Sequence, residues 1–169
     1  MKNRCLNLLG IILCVITFNK VCANALPFQT TDPIQVESDK VEFIQNTGEI
    51  IYEGHVVVQS LDRQLFADRV IVHKNPTQGI HTFKAIGHPA HFIHTIQSDD
   101  QPVEGEALQI DYFPETAQLI LTGQAKITHN QDIFNGPLLE YQLSDQKIIA
   151  TAQDNHRPKM ILFPKESAS

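Results

Sequence analysis

The side chains most able to do chemistry in this 169-residue chain are its histidines, four of which crowd one stretch: His81, His88, His91 and His94. His88, His91 and His94 recur every third residue. That spacing gathers ligands around a metal only on a helix, where residues three apart share a face; on a strand they alternate sides. The flanking residues Ile80–Ile86 and Ala90–Ile96 read as strands, half-exposed and built of β-tolerant residues. No His-Glu-x-x-His occurs, so no metal site is expected. Asp99-Asp100 sits in Ser98-Asp99-Asp100-Gln101-Pro102, a turn composition. Glu104 and Glu106 flank Gly105 and are expected to face solvent. There is no Gly-x-Ser-x-Gly and no phosphate-cradling G-x-x-x-x-G-K-[ST]. The expectation is a non-enzymatic protein with no catalytic residue and no cofactor. Lys40, Arg63, Arg69, Lys74, Lys84 and Lys126 are the cations best able to meet phosphate. They read as scattered surface charges, with Lys74 at a strand end as the one weak candidate.

The ends of the chain bound its location. Lys2 and Arg4 precede the apolar run Leu6 to Phe18, which is shorter than a membrane span and is followed by Val21-Cys22-Ala23 and Ala23-Asn24-Ala25. Residues 1–25 therefore read as a cleaved signal peptide, cut after Ala25 or after Ala23, with an uncleaved anchor as the alternative. Cys5, Cys14 and Cys22 all lie in that segment, so the mature chain has no thiol for a disulfide, a metal or a nucleophile. Leu13 and Val21, rather than small residues, precede Cys14 and Cys22, which argues against a lipid anchor. Removing Lys2, Arg4 and Lys20 leaves 10 basic residues against 19 acidic ones, 10 − 19 = −9. Such a surface disfavours nucleic acid. Residues 26–164 are expected to form one domain, with 165–169 as a C-terminal tail.

From Pro33 onward, short runs rich in Val, Ile, Phe and Tyr are punctuated by Gly, Pro, Asn and Asp, the rhythm of an all-β chain. Glu49–Glu53, His55–Gln59, Val103–Tyr112, Gln118–Thr122, Gln124–Thr128 and Leu138–Leu143 are among the predicted strands. Leu108, Ile110 and Tyr112 are expected on one face, with Gln109 and Asp111 on the other. The chain also repeats. A shift of 69 positions lays Glu37–Gly54 on Glu106–Gly123 without a gap, with Val41 on Ile110, Phe43 on Tyr112, Ile51 on Ile120 and Gly54 on Gly123. Two similar β-meanders in series are predicted. Around Gly54 and Gly123 the chain is either strand–turn–strand or one long strand kinked at glycine.

Several segments carry a family likeness: Pro33-Ile34-Gln35-Val36-Glu37-Ser38-Asp39-Lys40, Tyr52-Glu53-Gly54-His55-Val56-Val57-Val58 and Ala67-Asp68-Arg69-Val70-Ile71-Val72. The second unit adds Val103-Glu104-Gly105-Glu106-Ala107 and Leu121-Thr122-Gly123-Gln124-Ala125. In this order and spacing, behind a signal peptide, they resemble the LptA/OstA family over about Asp32 to Pro164. The resemblance implies a twisted antiparallel β-jellyroll, open at both ends and built from the two meander units. It implies a periplasmic carrier that bridges the membranes and moves lipopolysaccharide outward, lipid A acyl chains in an apolar groove. The implied partners are an inner-membrane-anchored jellyroll with its ABC transporter complex, the N-terminal jellyroll of the outer-membrane translocon, and further copies of the chain stacked head to tail. The missing second apolar span argues against the inner-membrane member, and the missing C-terminal barrel against the translocon subunit. A periplasmic adaptor that binds only other jellyrolls by strand-edge pairing, without lipid, is the alternative.

Alternation and resemblance together nominate Ile34, Val36, Phe43, Tyr52, Val58, Val72, Phe92, Ile110, Tyr112, Leu121 and Tyr141 as the groove lining. By position, Ile34–Glu37 and Lys159–Phe163 are the expected free edges. One departure stands out. Asn135-Gly136-Pro137 replaces the Ala67-Asp68 of the first unit, and Pro137, unable to donate to a ladder, is expected at a turn or edge.

Overall fold

The computed structural model describes residues 33–75, 79–96, 101–153 and 155–164. The expected signal peptide at 1–25, residues 26–32, Asp99-Asp100 and the expected tail at 165–169 lie outside them. The described residues form a 10-stranded antiparallel sheet and no helix. In chain order the strands are β1 Gln35–Glu37, β2 Lys40–Ile44, β3 Glu49–Gln59, β4 Arg63–Asn75, β5 Gly79–His94, β6 Val103–Phe113, β7 Gln118–His129, β8 Asp132–Gln142, β9 Lys147–Thr151 and β10 Lys159–Ile161. β3 to β8 are a plain meander. β1 and β2 both pair with β3 at one edge, and β9 and β10 both pair with β8 at the other. The sheet does not close on itself.

The pairs β3–β4, β4–β5, β5–β6, β6–β7 and β7–β8 are each interrupted, between Glu53 and Val56, Phe66 and Arg69, Ile86 and Ala90, Glu106 and Gln109, and Thr122 and Ala125. These irregularities line up into a crease. The interruptions bend the strands: in β4, β5, β6 and β8 the inward alternation changes phase there, whereas in β3 and β7 it carries through, with Tyr52 and Val56, and Leu121 and Ala125, all facing inward. Each long strand thus contributes one half to each of two layers that face each other. Cross-layer contacts establish this: Arg63 Nη1 donates to the Tyr112 hydroxyl at 2.7 Å, and a Cβ on Gly105 would lie 3.0 Å from a methyl of Leu121.

The crease answers two questions left by the sequence and corrects a third. Gly54 and Gly123 kink single long strands rather than ending them. Each sits at φ +78°, and His55 and Gln124 after them are also left-handed, at φ 46° and 51°. The 69-residue repeat is therefore a repeat of backbone. Its pairing repeats as well: Val41↔Tyr52 becomes Ile110↔Leu121, and Val56↔Ala67 becomes Ala125↔Gly136. By the same shift β1 and β2 together correspond to the single strand β6.

Leu108 does not share the face of Ile110. It is the extra residue of β6 at the crease and is 40% exposed, while Ala107 before it and Ile110 after it are buried. Pro137 is not in a turn but at a local edge, where β8 has no partner on its outer side. It lies inside β8, opposite the Gly123-Gln124 interruption on one side and between the β9 and β10 pairings on the other, so no ladder bond is asked of its nitrogen.

Gly123 meets a double demand. Its backbone is left-handed, and an added Cβ would lie 3.2 Å from the Leu108 side chain; Gly79, at φ +84°, has nothing within 4 Å. Gly79→Ala should lose about 1–2 kcal/mol for the left-handed backbone alone. Gly123→Ala should lose about 1 kcal/mol more for overpacking. Urea unfolding of the two variants measures the difference, and equal losses would show that Leu108 yields freely.

Candidate lipid-binding groove

Residues directly opposite in antiparallel strands share a face, so the register reads out the inner surface in rows. One layer carries Val36, Val58, Leu65, Phe92, Gly105, Ile127, Phe134 and Met160, side by side from β1 to β10. The other carries two rows. The first runs Val41, Tyr52, Val70, Ala85, Ile110, Leu121, Leu139, Ala150; the second runs Phe43, Ile50, Val72, Phe83, Tyr112, Leu119, Tyr141, Ile148. Every member is apolar, tyrosine or glycine. The rows cross the whole sheet, so the apolar interior runs from edge to edge, perpendicular to the strands.

Burial along the rows is uneven. Among the residues nominated from sequence, Val58, Val72, Phe92, Ile110, Leu121 and Tyr141 are buried in the core, where the two layers touch. Ile34, Val36, Tyr52 and Tyr112 are partly buried against it. Phe43 faces the inner side in register but lies on the outermost strand and is 61% exposed, as is its neighbour in the next row, Val41. At the opposite end Met160 is 51% exposed. The middle of the interior is packed shut, and its two ends are apolar and uncovered.

Among the described residues, polar groups enter the interior along the row Arg63, His94, Val103, His129, Asp132. Arg63 and His94 pair across β4 and β5 with inward parity, two residues from Leu65 and Phe92. The Arg63 side chain is 28% exposed; its Nε donates to Asp62 at 2.8 Å and its Nη1 to Tyr112. His94 is buried, with Nδ1 2.9 Å from the Tyr141 hydroxyl and Nε2 3.5 Å from Asp62. These contacts join the layers on the side away from the crease, like a latch. Burial pushes the His94 imidazole below its ordinary value of 6.5, and nearby Arg63 adds to this, with Asp62 opposing. Burial would raise the Asp62 carboxyl, but Arg63 outweighs it and holds it below the usual carboxylate range.

The buried His94 corrects the expectation of a half-exposed histidine stretch. The three histidines do not gather. His88 lies at the crease, 2.7 Å from the exposed carboxylate of Asp68, and His91 stacks on Phe66 on the outer face. No group of three metal-ligating side chains converges among the described residues. Three of the six cations named above are engaged on the outer face: Lys40 and Arg69 with Glu53, and Lys126 with Glu106. Lys74 is exposed. Arg63 is the one of that set that points inward. The signal was present in the sequence: it precedes Leu65 by the strand period of two.

An open antiparallel jellyroll with a continuous apolar interior is the architecture of a binding and scaffolding module. Residues 35–147 match the family model described as LptA/(LptD N-terminal domain) LPS transport protein, and the chain belongs to that family. The lipopolysaccharide export system protein LptA of Escherichia coli K12 is 28% identical over 145 residues, covering 85% of this chain and 78% of the relative. The lipopolysaccharide export system protein LptH of Pseudomonas aeruginosa is 27% identical over 153 residues, covering 86% and 87%. The crystal structure of LptH from Pseudomonas aeruginosa, described as the LptA-homologous periplasmic component of the lipopolysaccharide transport device, superposes with a TM-score of 0.74. It has 24% identity and covers 79% of this chain and 96% of that one, a likeness of fold.

Because the folded pKa of His94 is lowered, its contribution to stability is present above 6.5 and is lost as pH falls, when the unfolded chain takes up a proton that the folded chain resists. His94→Gln removes that titration. The stability difference between wild type and H94Q should therefore narrow as pH drops from 8 to 5.5. Urea unfolding across that range measures it, and a constant difference would mean that His94 is not held neutral.

Proposed function

We propose that the chain is a non-enzymatic periplasmic carrier of lipopolysaccharide, a segment of the bridge between the inner and outer membranes. The observation that carries this reading is the set of apolar inner rows, unbroken from one sheet edge to the other and uncovered at both ends. A closed-core domain of this size needs no such through-running surface. Burying each methylene of an acyl chain against it contributes about 0.8 kcal/mol. Partial burial in an open groove permits release as well as binding. The groove contacts are assigned to Ile34, Val36, Phe43 and Tyr52 at one end and, when the layers part, to Val58, Val72, Phe92, Ile110, Tyr112, Leu121 and Tyr141.

The sheet edges supply the connections. β1 and β2 at one end, β9 and β10 at the other, each leave one side of the strand free to pair. Edge-to-edge addition would prolong the inner rows from one jellyroll into the next. The proposed neighbours are a second copy of the chain, an inner-membrane-anchored jellyroll with its ABC transporter complex, and the N-terminal jellyroll of the outer-membrane translocon. Head-to-tail addition of this kind is open-ended. The proposed export route is cleavage of the signal peptide at 1–25. A second reading, an adaptor that pairs edges but takes no lipid, is favoured by the packed middle of the interior.

Photocrosslinking to lipopolysaccharide separates the two readings. Probes at Val36 and Phe92 face inward; probes at Gln35 and Gln109 face outward. Adducts at the inward pair alone are expected. An adduct at Phe92, 5% exposed, also requires the layers to separate around the lipid. Folded protein with no adduct at any position would leave the adaptor.

A further inference from the structure

Arg63 is out of place in an apolar groove. Its guanidinium lies between the layers, with its central carbon 5.7 Å from the centre of the Tyr112 ring. Holding the layers together does not require a charge there, because an apolar pair of similar volume generally packs as stably as a buried ion pair. What a guanidinium offers is a rigid fork of five N–H donors that matches the oxygens of phosphate. Asp62 holds Nε and sets the plane of the fork, and the Asp62–Arg63 pair is seated at the start of β4. The Tyr112 hydroxyl that takes Nη1 is neutral. A charge-assisted bond to a phosphate oxygen is roughly twice as strong as a neutral one, so a phosphate would displace the tyrosine and leave Asp62 in place.

We propose that Arg63 is a phosphate-recognising residue at the mouth of the groove and that Tyr112 is its placeholder. A phosphate group reaching the latch takes Nη1 from Tyr112, and the lost cross-layer bond lets the layers separate where acyl chains enter. One side chain thus reads the headgroup and unlocks the interior. His94, which faces both Asp62 and Tyr141, carries the second cross-layer contact and lies next to the first. The identity of the phosphate as a lipid headgroup rests on the carrier reading above; recognition of phosphate by Arg63 does not.

The test measures binding of lipopolysaccharide, of the same lipid stripped of its phosphates, and of inorganic phosphate as competitor. The proteins are wild type, Arg63→Gln, Arg63→Lys and Tyr112→Phe, each checked for folding by its unfolding midpoint. R63Q should weaken binding of the phosphorylated lipid about tenfold, the scale of a lost charge-assisted bond, and leave the stripped lipid unchanged. R63K should recover part of the loss, and Y112F should bind the phosphorylated lipid at least as tightly as wild type. Competition by inorganic phosphate in wild type but not in R63Q assigns the site to phosphate from either source. Selective loss in R63Q without such competition assigns it to the headgroup. Equal weakening of both lipids by R63Q, or no weakening of either, overturns the proposal. Wild type that binds neither lipid sinks the carrier reading instead, and inorganic phosphate shifting the Tyr112 ring resonances in wild type but not in R63Q then decides Arg63 alone.

Discussion

The aligned interruptions of β3 to β7 are the constraint on which the rest of the structure depends. A strand bent sharply enough to fold a sheet back on itself cannot keep a regular ladder through the bend, so extra or left-handed residues must absorb it. β6 shows one way this is done. Val103, Gly105 and Ala107 face inward up to the crease, and Ile110 and Tyr112 face inward beyond it, because Leu108 absorbs the change of phase. At Gly54-His55 and Gly123-Gln124 the alternation is kept and the bend is made by two consecutive left-handed residues, which glycine begins without strain. The inner rows, the latch and the free edges all follow from this one fold line.

The duplication explains why the two ends of the sheet look as they do. β6 passes through the crease as one strand, whereas its counterpart in the first unit is broken at Ser38-Asp39 into β1 and β2. Asp39 stands where Leu108 stands in the second unit, and each lies against the glycine of its own unit: a Cβ on Gly54 would meet Asp39, and one on Gly123 would meet Leu108. At the far edge β9 and β10 are likewise two short pieces where β5 is one. Short edge strands offer pairing groups over few residues, which limits indiscriminate addition while leaving the inner rows uncovered.

How much of this was legible in the sequence depended on whether the determinant was local. Alternation of apolar residues and the 69-residue repeat are local or nearly so, and they yielded the strands, the two units and the position of the edges at β1 and β10. Inner rows such as Val36–Val58–Phe92 are legible as sets of inward residues. The phase changes are not, because an extra residue is defined only against its partner strand. Leu108 is therefore expected on the wrong face, β5 reads as two strands, and β3 and β7 stay open between a turn and a kink at glycine. Pro137 is judged by what proline cannot donate, and the structure puts it where neither neighbour needs its nitrogen. Arg63 and His94 were visible to the period-two rule, yet a charge was taken as proof of an outer face.

The packed middle of the interior bears on how a lipid could be carried at all. Val72, Ile110, Leu121 and Tyr141 are between 0% and 2% exposed, so the layers leave no space for an acyl chain until they part. Parting them exposes apolar surface, which alone would be strongly unfavourable. An acyl chain entering at the same moment covers that surface with an equally apolar one, so the exchange is close to neutral in hydrophobic terms. The terms left to decide between closed and loaded states are those that a hydrocarbon cannot replace, namely the Arg63–Tyr112 and His94–Tyr141 contacts across the mouth. Hydrogen bonds of this kind contribute only about 0.5–1.5 kcal/mol each when neutral and about 1.5–3 kcal/mol when charged. A difference of that size between closed and loaded states is small enough for a ligand to supply, while the apolar surface that parting would expose keeps the groove shut when empty. A carrier that must both accept and release its cargo is well served by a hinge at the crease and a weak polar fastening opposite it.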